Sequence, residues 1–203
     1  MEHVCKYCFQ DIDTQQDFTH WLWQDALLCG TCAHQLQVVK KTISFDALKV
    51  HVLYRYNDFL ESMLFQYKEG RDIALKDVFF HEYTKYIERR YRGYTLVLMP
   101  SSEAKTKERG FHALASMLTH IHLHKISLFY KSENRKQSLQ SLQQRQHIDE
   151  VIHVKEGETV PQTKLLLIDD VCTTGATLKC AYHLLQSHTM KIEALVLCAH
   201  PLL

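Results

Sequence analysis

Residues 165–177 read LLLIDDVCTTGAT: an apolar run, two adjacent carboxylates and a Thr/Gly-rich stretch in immediate succession. The four aliphatic side chains Leu165, Leu166, Leu167 and Ile168 suit a strand covered on both faces, as in a parallel sheet. Asp169 and Asp170 then fall at its carboxyl end. Open α/β sheets bind ligands at that edge, and the following helix turns free backbone N–H groups towards an incoming anion. Gly175 allows close backbone approach, while Thr173, Thr174 and Thr177 add hydroxyl donors on either side of Gly175 and Ala176. Two carboxylates repel phosphate, so their natural partners are ribose hydroxyls or a bridging Mg²⁺. An isolated acidic pair would more simply cap a helix; the whole thirteen-residue order points to a sugar-phosphate site.

These residues resemble the phosphoribosyl pyrophosphate (PRPP) signature of the type I phosphoribosyltransferases. The resemblance implies that Asp169 and Asp170 contact the ribose hydroxyls and that Thr173, Thr174, Gly175, Ala176 and Thr177 wrap the 5′-phosphate, with Mg²⁺ accompanying PRPP. Cys172 stands where that family has an aliphatic residue, and its small apolar side chain is a fair substitute.

The 203 residues suit one α/β domain plus a small module, with 46% apolar and 23% charged residues. A net charge of +1 supplies no bulk attraction to nucleic acid or membrane, so such binding must come from a local patch. No apolar run reaches the roughly 18 residues that span a bilayer, and the amino-terminal MEHVC is no signal peptide; a cytoplasmic protein is expected. Cys5, Cys8, Cys29 and Cys32 form two C-x2-C knuckles separated by 20 residues. Four thiolates complete a closed, structural tetrahedral zinc shell; redox dithiols are the other option, and a reducing cytosol argues against disulfides. Cys172, Cys180 and Cys198 are expected to be buried.

A zinc-binding module over 1–44 is too short for a core of its own and would draw stability from the metal. Phe18, Trp21, Leu22, Trp23 and Leu27 can cover the metal hairpins, pack on the next domain or stack on bases. From 46 onward Leu48, Val50, Val52 and Tyr54 alternate with polar neighbours, so one or two strands open a larger domain over 45–203. Helices are expected at 58–70, 72–92, 111–122 and 175–188. In the second of these, Tyr86 is among the residues spaced for burial. Strands are expected at 95–99, 126–130, 151–154, 165–168 and 192–198. This alternation predicts a mostly parallel sheet with helices on both faces.

The segment 100–110, PSSEAKTKERG, follows a strand as the acidic doublet does, and is expected to lie as a loop along the same edge. Lys105, Lys107 and Arg109 suit a polyanionic leaving group such as pyrophosphate. The polar stretch 132–147 occupies the place of the phosphoribosyltransferases' mobile lid and brings Arg135, Lys136 and Arg145. From 103 to 147 eight Lys/Arg stand against three Asp/Glu, a local basic excess.

The ERGFH of 108–112, with His112 where the usual residue is Asn, Gln137 with Arg145 eight positions on, and Tyr56, Lys68, Arg71 and Asp72 are similar to elements of the competence protein F family. With the four-cysteine ribbon ahead and the PRPP signature behind, the resemblance spans essentially the full chain. It implies a DNA-uptake factor for natural transformation, cytoplasmic or drawn to the inner face of the membrane by its partners. Those partners would include single-stranded DNA, a competence helicase and other uptake or recombination proteins. DNA lacks the 2′-OH, so a strand is expected to track Lys105, Lys107, Arg109, Arg135, Lys136 and the ribbon rather than the aspartates. Two other readings are a working Mg²⁺-dependent phosphoribosyltransferase, for which no acceptor site is legible, and a PRPP-sensing regulator.

Overall fold

The computed structural model describes residues 4–12, 26–131, 152–189 and 191–200. In chain order the elements are α1 (Gly30–Gln35), β1 (Val38–Phe45), β2 (Leu48–Arg55), α2 (Asp58–Lys68), α3 (Thr84–Arg90), β3 (Tyr94–Leu98), α4 (Glu103–Arg109), α5 (Ala113–Met117), β4 (Lys125–Ile126), β5 (Phe129–Lys131), β6 (Ile152–Val154), β7 (Lys164–Cys172), α6 (Ala176–Leu185) and β8 (Ile192–Ala199). One six-stranded sheet has the order β1-β2-β8-β7-β3-β4. The edge strand β1 runs antiparallel to β2, and every other pairing in this sheet is parallel. β1 straddles position 44, so the sheet begins at Val38.

Alternate residues of the central strands feed two cores, as the pleat requires. Leu96, Leu98, Leu166, Ile168, Leu195 and Leu197 face α2 and α5. Val97, Leu165, Leu167, Ala194 and Val196 face α6 and the β5–β6 hairpin. Burial of the 165–168 run on both faces is the expectation drawn from its aliphatic side chains. α2 starts where Asn57 accepts a hydrogen bond from the Leu60 N–H at 2.9 Å, and it buries Leu60, Met63, Leu64 and Tyr67. At the amino ends of the strands the buried Glu193 carboxylate is satisfied by Lys191 at 2.6 Å, His51 at 3.0 Å and the Tyr94 hydroxyl at 3.1 Å.

Four expectations are corrected. The stretch 72–92 is not one helix but two 3₁₀ turns, Ile73–Asp77 and His81–Tyr83, followed by α3. Leu75, Val78, Phe79 and Tyr83 have the spacing of one helical stripe, but Phe80 lies off it and is buried as well, which the two short turns allow. Tyr86, expected inside, is 41% exposed. The span 126–130 divides between β4 in the main sheet and β5 in the hairpin, because Leu128 and Phe129 turn into the second core. The stretch 111–122 is α-helical only over α5, after which Leu118 and Ile121 enter the first core.

The four knuckle cysteines converge, with their Sγ atoms within 4.8 Å of one another and those of Cys8 and Cys29 3.6 Å apart. Tetrahedral zinc at a Zn–S distance of about 2.3 Å places its sulfurs about 3.8 Å apart, so the cluster fits that ion. The first knuckle is closed by the Cys5 N–H to Gln10 carbonyl bond at 2.8 Å, and the second sits where Cys29 opens α1. Burial pushes the Cys5 thiol up, but backbone hydrogen bonds from Cys8, Cys29 and Tyr7 outweigh it and lower it, whereas burial and the neighbouring thiols raise Cys32; the first proton is therefore lost from the cluster more easily than the later ones. The ribbon docks on α2: Tyr7 meets Phe59 edge-on with centroids 4.9 Å apart, and its hydroxyl lies 3.1 Å from Ser62 Oγ. Leu27 is partly buried against the first core, whereas Phe18, Trp21, Leu22 and Trp23 lie outside the described residues. Of the remaining cysteines, Cys172 and Cys198 are buried and Cys180 is half-buried. With zinc in this cluster, chelation is expected to release one ion per chain and lower Tm, raising hydrogen exchange in the ribbon well before the sheet. A chain that releases no metal under denaturing conditions would contradict it.

Candidate functional site at the carboxyl edge of the sheet

β3 leads to β4 on its outer side, whereas β7 leads to β8 in the opposite direction. The chain therefore reverses its winding between β3 and β7, which makes a crevice at their carboxyl ends, the usual position of a ligand in such sheets. Leu98 is in register with Ile168, and the Met99 N–H bonds the Ile168 carbonyl at 2.9 Å. Asp169 and Asp170 thus lie level with the start of the 100–110 segment. The two halves expected from the sequence do meet at one edge.

The strand extends further than its apolar run suggests. β7 continues through Cys172, with Asp169, Val171 and Cys172 paired to β8, so the acidic pair occupies the last extended turns of the strand. Asp169 is half-buried, with part of its surface open to solvent. Burial first, and then the charge of Asp170, push its carboxyl up to about 7, despite the Asp170 N–H and Lys68. Asp170 is ion-paired with Lys68 at the end of α2. Neither Lys68 nor its pairing was assigned from the sequence as part of the site.

In the turn, Thr173, Thr174 and Ala176 are exposed, Thr177 is half-buried and Gly175 is buried. Gly175 has φ +75°, and a Cβ there would come within 2.4 Å of the Phe45 ring. Both features demand glycine, so the ring at the end of β1 fixes the turn from below. The Thr174 hydroxyl accepts from the Ala176 N–H at 3.3 Å as α6 begins.

Across the crevice, 100–110 is not the expected loop: it forms α4, which begins after Ser102 and ends at Gly110 in the left-handed conformation, φ 81°. Glu103 in its first turn and Lys107 and Arg109 in its last were legible as helix signals. The helix changes what the cations do. Lys107 pairs with Glu103 at 2.8 Å, Arg109 donates to Glu69 at 2.6 Å, and Arg71 lies 3.6 Å from Glu108. Lys105 is exposed. Arg109 has a side chain only 8% exposed, and its Nε is buried without a hydrogen-bond partner among the described residues. The hydrogen bond from Arg109 holds the Glu69 carboxyl below the usual range. The expected basic excess is therefore partly neutralised over this helix. Arg135, Lys136, Gln137, Arg145 and the 132–147 segment lie outside the described residues.

A family model of the phosphoribosyl transferase domain matches residues 107–202. The chain is similar to competence protein ComFC of Streptococcus pneumoniae (strain ATCC BAA-255 / R6), being 29% identical over 206 residues that cover 90% of this chain and 93% of the relative. It is also similar to competence protein ComFC of Bacillus subtilis (strain 168), 30% identical over 131 residues, 62% of this chain and 53% of the relative. Among solved structures, a hypoxanthine phosphoribosyltransferase from Staphylococcus aureus aligns over 66% of each chain with 16% identity and a TM-score of 0.38, an extent that says nothing of substrate.

The raised Asp169 carboxyl sets a pH dependence. Its folded pKa of about 7 lies above the unfolded value of about 4. Its stabilising contribution is therefore complete below the unfolded value and is lost as pH rises through the folded one. Asp169→Asn, which cannot ionise, is expected to flatten the decline of the urea midpoint between about pH 5 and pH 8. Parallel pH profiles for the two proteins would contradict this.

Proposed function

We propose, for a chain that belongs with the ComFC competence proteins and carries a phosphoribosyl transferase domain, that it handles single-stranded DNA during DNA uptake and retains a phosphoribosyl-binding site. The observation that carries the reading is the joint one: similarity to a competence protein over 90% of the chain, and an acidic doublet with its threonine turn at the winding-reversal crevice. The crevice offers PRPP two carboxylates for ribose, exposed threonines for the 5′-phosphate and the buried Arg109 guanidinium opposite. Mg²⁺ would enter with the pyrophosphate rather than as a resident ion. A DNA strand, lacking the 2′-OH, would run over Lys105, Lys107, Arg135, Lys136 and the ribbon, with Arg109 serving it only after leaving Glu69. Competence helicases and other uptake or recombination proteins are the partners this role calls for, with a cytoplasmic location at or near the membrane's inner face. Among the described residues no helix is long and apolar enough to cross a membrane.

The division of labour is open to a direct test. Anisotropy titration with a labelled single-stranded oligonucleotide is expected to give binding that weakens with salt, and more so after Lys105→Ala with Lys107→Ala. Asp169→Asn should keep that affinity while losing the rise in Tm that Mg²⁺ and PRPP produce in the parent. Equal loss of both activities in both variants would overturn the separation. Release of pyrophosphate from PRPP in the presence of a nucleobase would identify a working transferase, and a change of DNA affinity on adding PRPP would identify a sensor.

A further inference from the structure

A recess of about 190 Å³ opens beside the acidic pair, on its β8 and β2 side. Pockets for drug-sized ligands hold roughly 300 Å³ or more, so this one suits a single ring. Val171, the residue after Asp170, lines it together with Leu64 and Phe65 of α2. Tyr56, which follows β2, also lines it, with its ring 5.8 Å from that of His200, which follows β8. Arg55 and Cys172 are both in register with Ala199, so the recess belongs to the same carboxyl edge as the phosphoribosyl crevice.

The charged groups around it already have partners. Lys68 holds Asp170, Glu69 accepts from Arg109, and Glu61 lies against Tyr56, whose hydroxyl pKa is raised by burial and by that contact. What remains for a ligand is Leu64, Val171 and two aromatic faces. Phosphate is disfavoured by the two glutamates; a flat heterocycle is favoured by the rings. Phe65 is 66% exposed. One exposed aromatic is ordinary, but this one rims a recess that holds a second aromatic beside a site shaped for sugar.

We propose that this recess is a nucleobase subsite, taking one base of a bound single strand stacked against Phe65 and Tyr56. The assignment rests on the strand-binding role above and adds to it the place where a base is held. α2 joins the ribbon, through Phe59 and Ser62, to α4, through Glu69, so the recess lies between the two regions a strand would follow. Stacking on aromatics tolerates any base and is a recurring device for sequence-independent strand binding.

The test compares labelled oligothymidine with an abasic strand of equal length, each titrated into parent, Phe65→Ala and Phe65→Trp. The parent is expected to prefer oligothymidine. Phe65→Ala, at an exposed position that leaves the cores untouched, should lose roughly 5-fold or more on oligothymidine and nothing on the abasic strand, with an unchanged salt slope. Phe65→Trp should restore the preference. Parent-like binding of both strands by Phe65→Ala would overturn the subsite while leaving strand binding intact. A parent that binds neither strand would overturn both.

Discussion

Two successive aspartates at the end of a strand buried on both faces are an electrostatic burden, and the Lys68 ammonium is the group that offsets it. Burial first, and then the neighbouring Asp170 charge, raise the proton affinity of Asp169. The result is visible in Asp169, whose carboxyl is pushed to about 7 while Asp170 is held by Lys68. The next residue, Glu69, which caps α2, does the reverse service for Arg109 across the crevice. Consecutive residues of opposite sign thus hold the two halves of the site in place, one at each side of the point where the chain reverses its winding. Breaking one partner of such a half-buried pair leaves the other charge uncompensated.

α2 also ties the ribbon and α5 to the first core. Its Asn57 cap sets its start and also donates to the Gln35 carbonyl at the end of α1. Phe59 and Ser62 receive the ribbon, while Met63, Leu64 and Tyr67 enter the first core. The Tyr67 hydroxyl donates to the Ala113 carbonyl at 2.8 Å, tying in α5. One helix therefore touches the metal knuckles, the first core of the sheet and, through Lys68, the acidic pair.

The parts legible in the sequence were those written in local order. The cysteine spacing places four sulfurs together, the aliphatic run at 165–168 marks the central strand, and the threonine turn follows it into α6. Parallel pairing of β3 with β7 could be argued from the alternation of elements, so the meeting of the segments that follow them at one edge was also within reach. What escaped was long-range. Lys68 meets Asp170 and Glu69 meets Arg109 through the packing of α2, and no spacing in the chain encodes that. The broken helix at 72–92 failed for a related reason, since Phe79 and Phe80 are both drawn into a core whose shape only the assembled sheet defines. α4, by contrast, was missed although Glu103 and Gly110 announced its ends.

The central claim is that the turn from Thr173 to Thr177 receives the phosphate of a phosphorylated ribose whose hydroxyls face Asp169 and Asp170. The most direct measurement follows the backbone amide resonances of ¹⁵N-labelled protein during titration with PRPP and Mg²⁺. The account predicts that the amides of Thr173, Thr174, Gly175, Ala176 and Thr177 shift together along one saturating curve, accompanied by the Arg109 Nε resonance. Saturating shifts confined to the ribbon or to the β4 edge, with that turn unmoved, would contradict it.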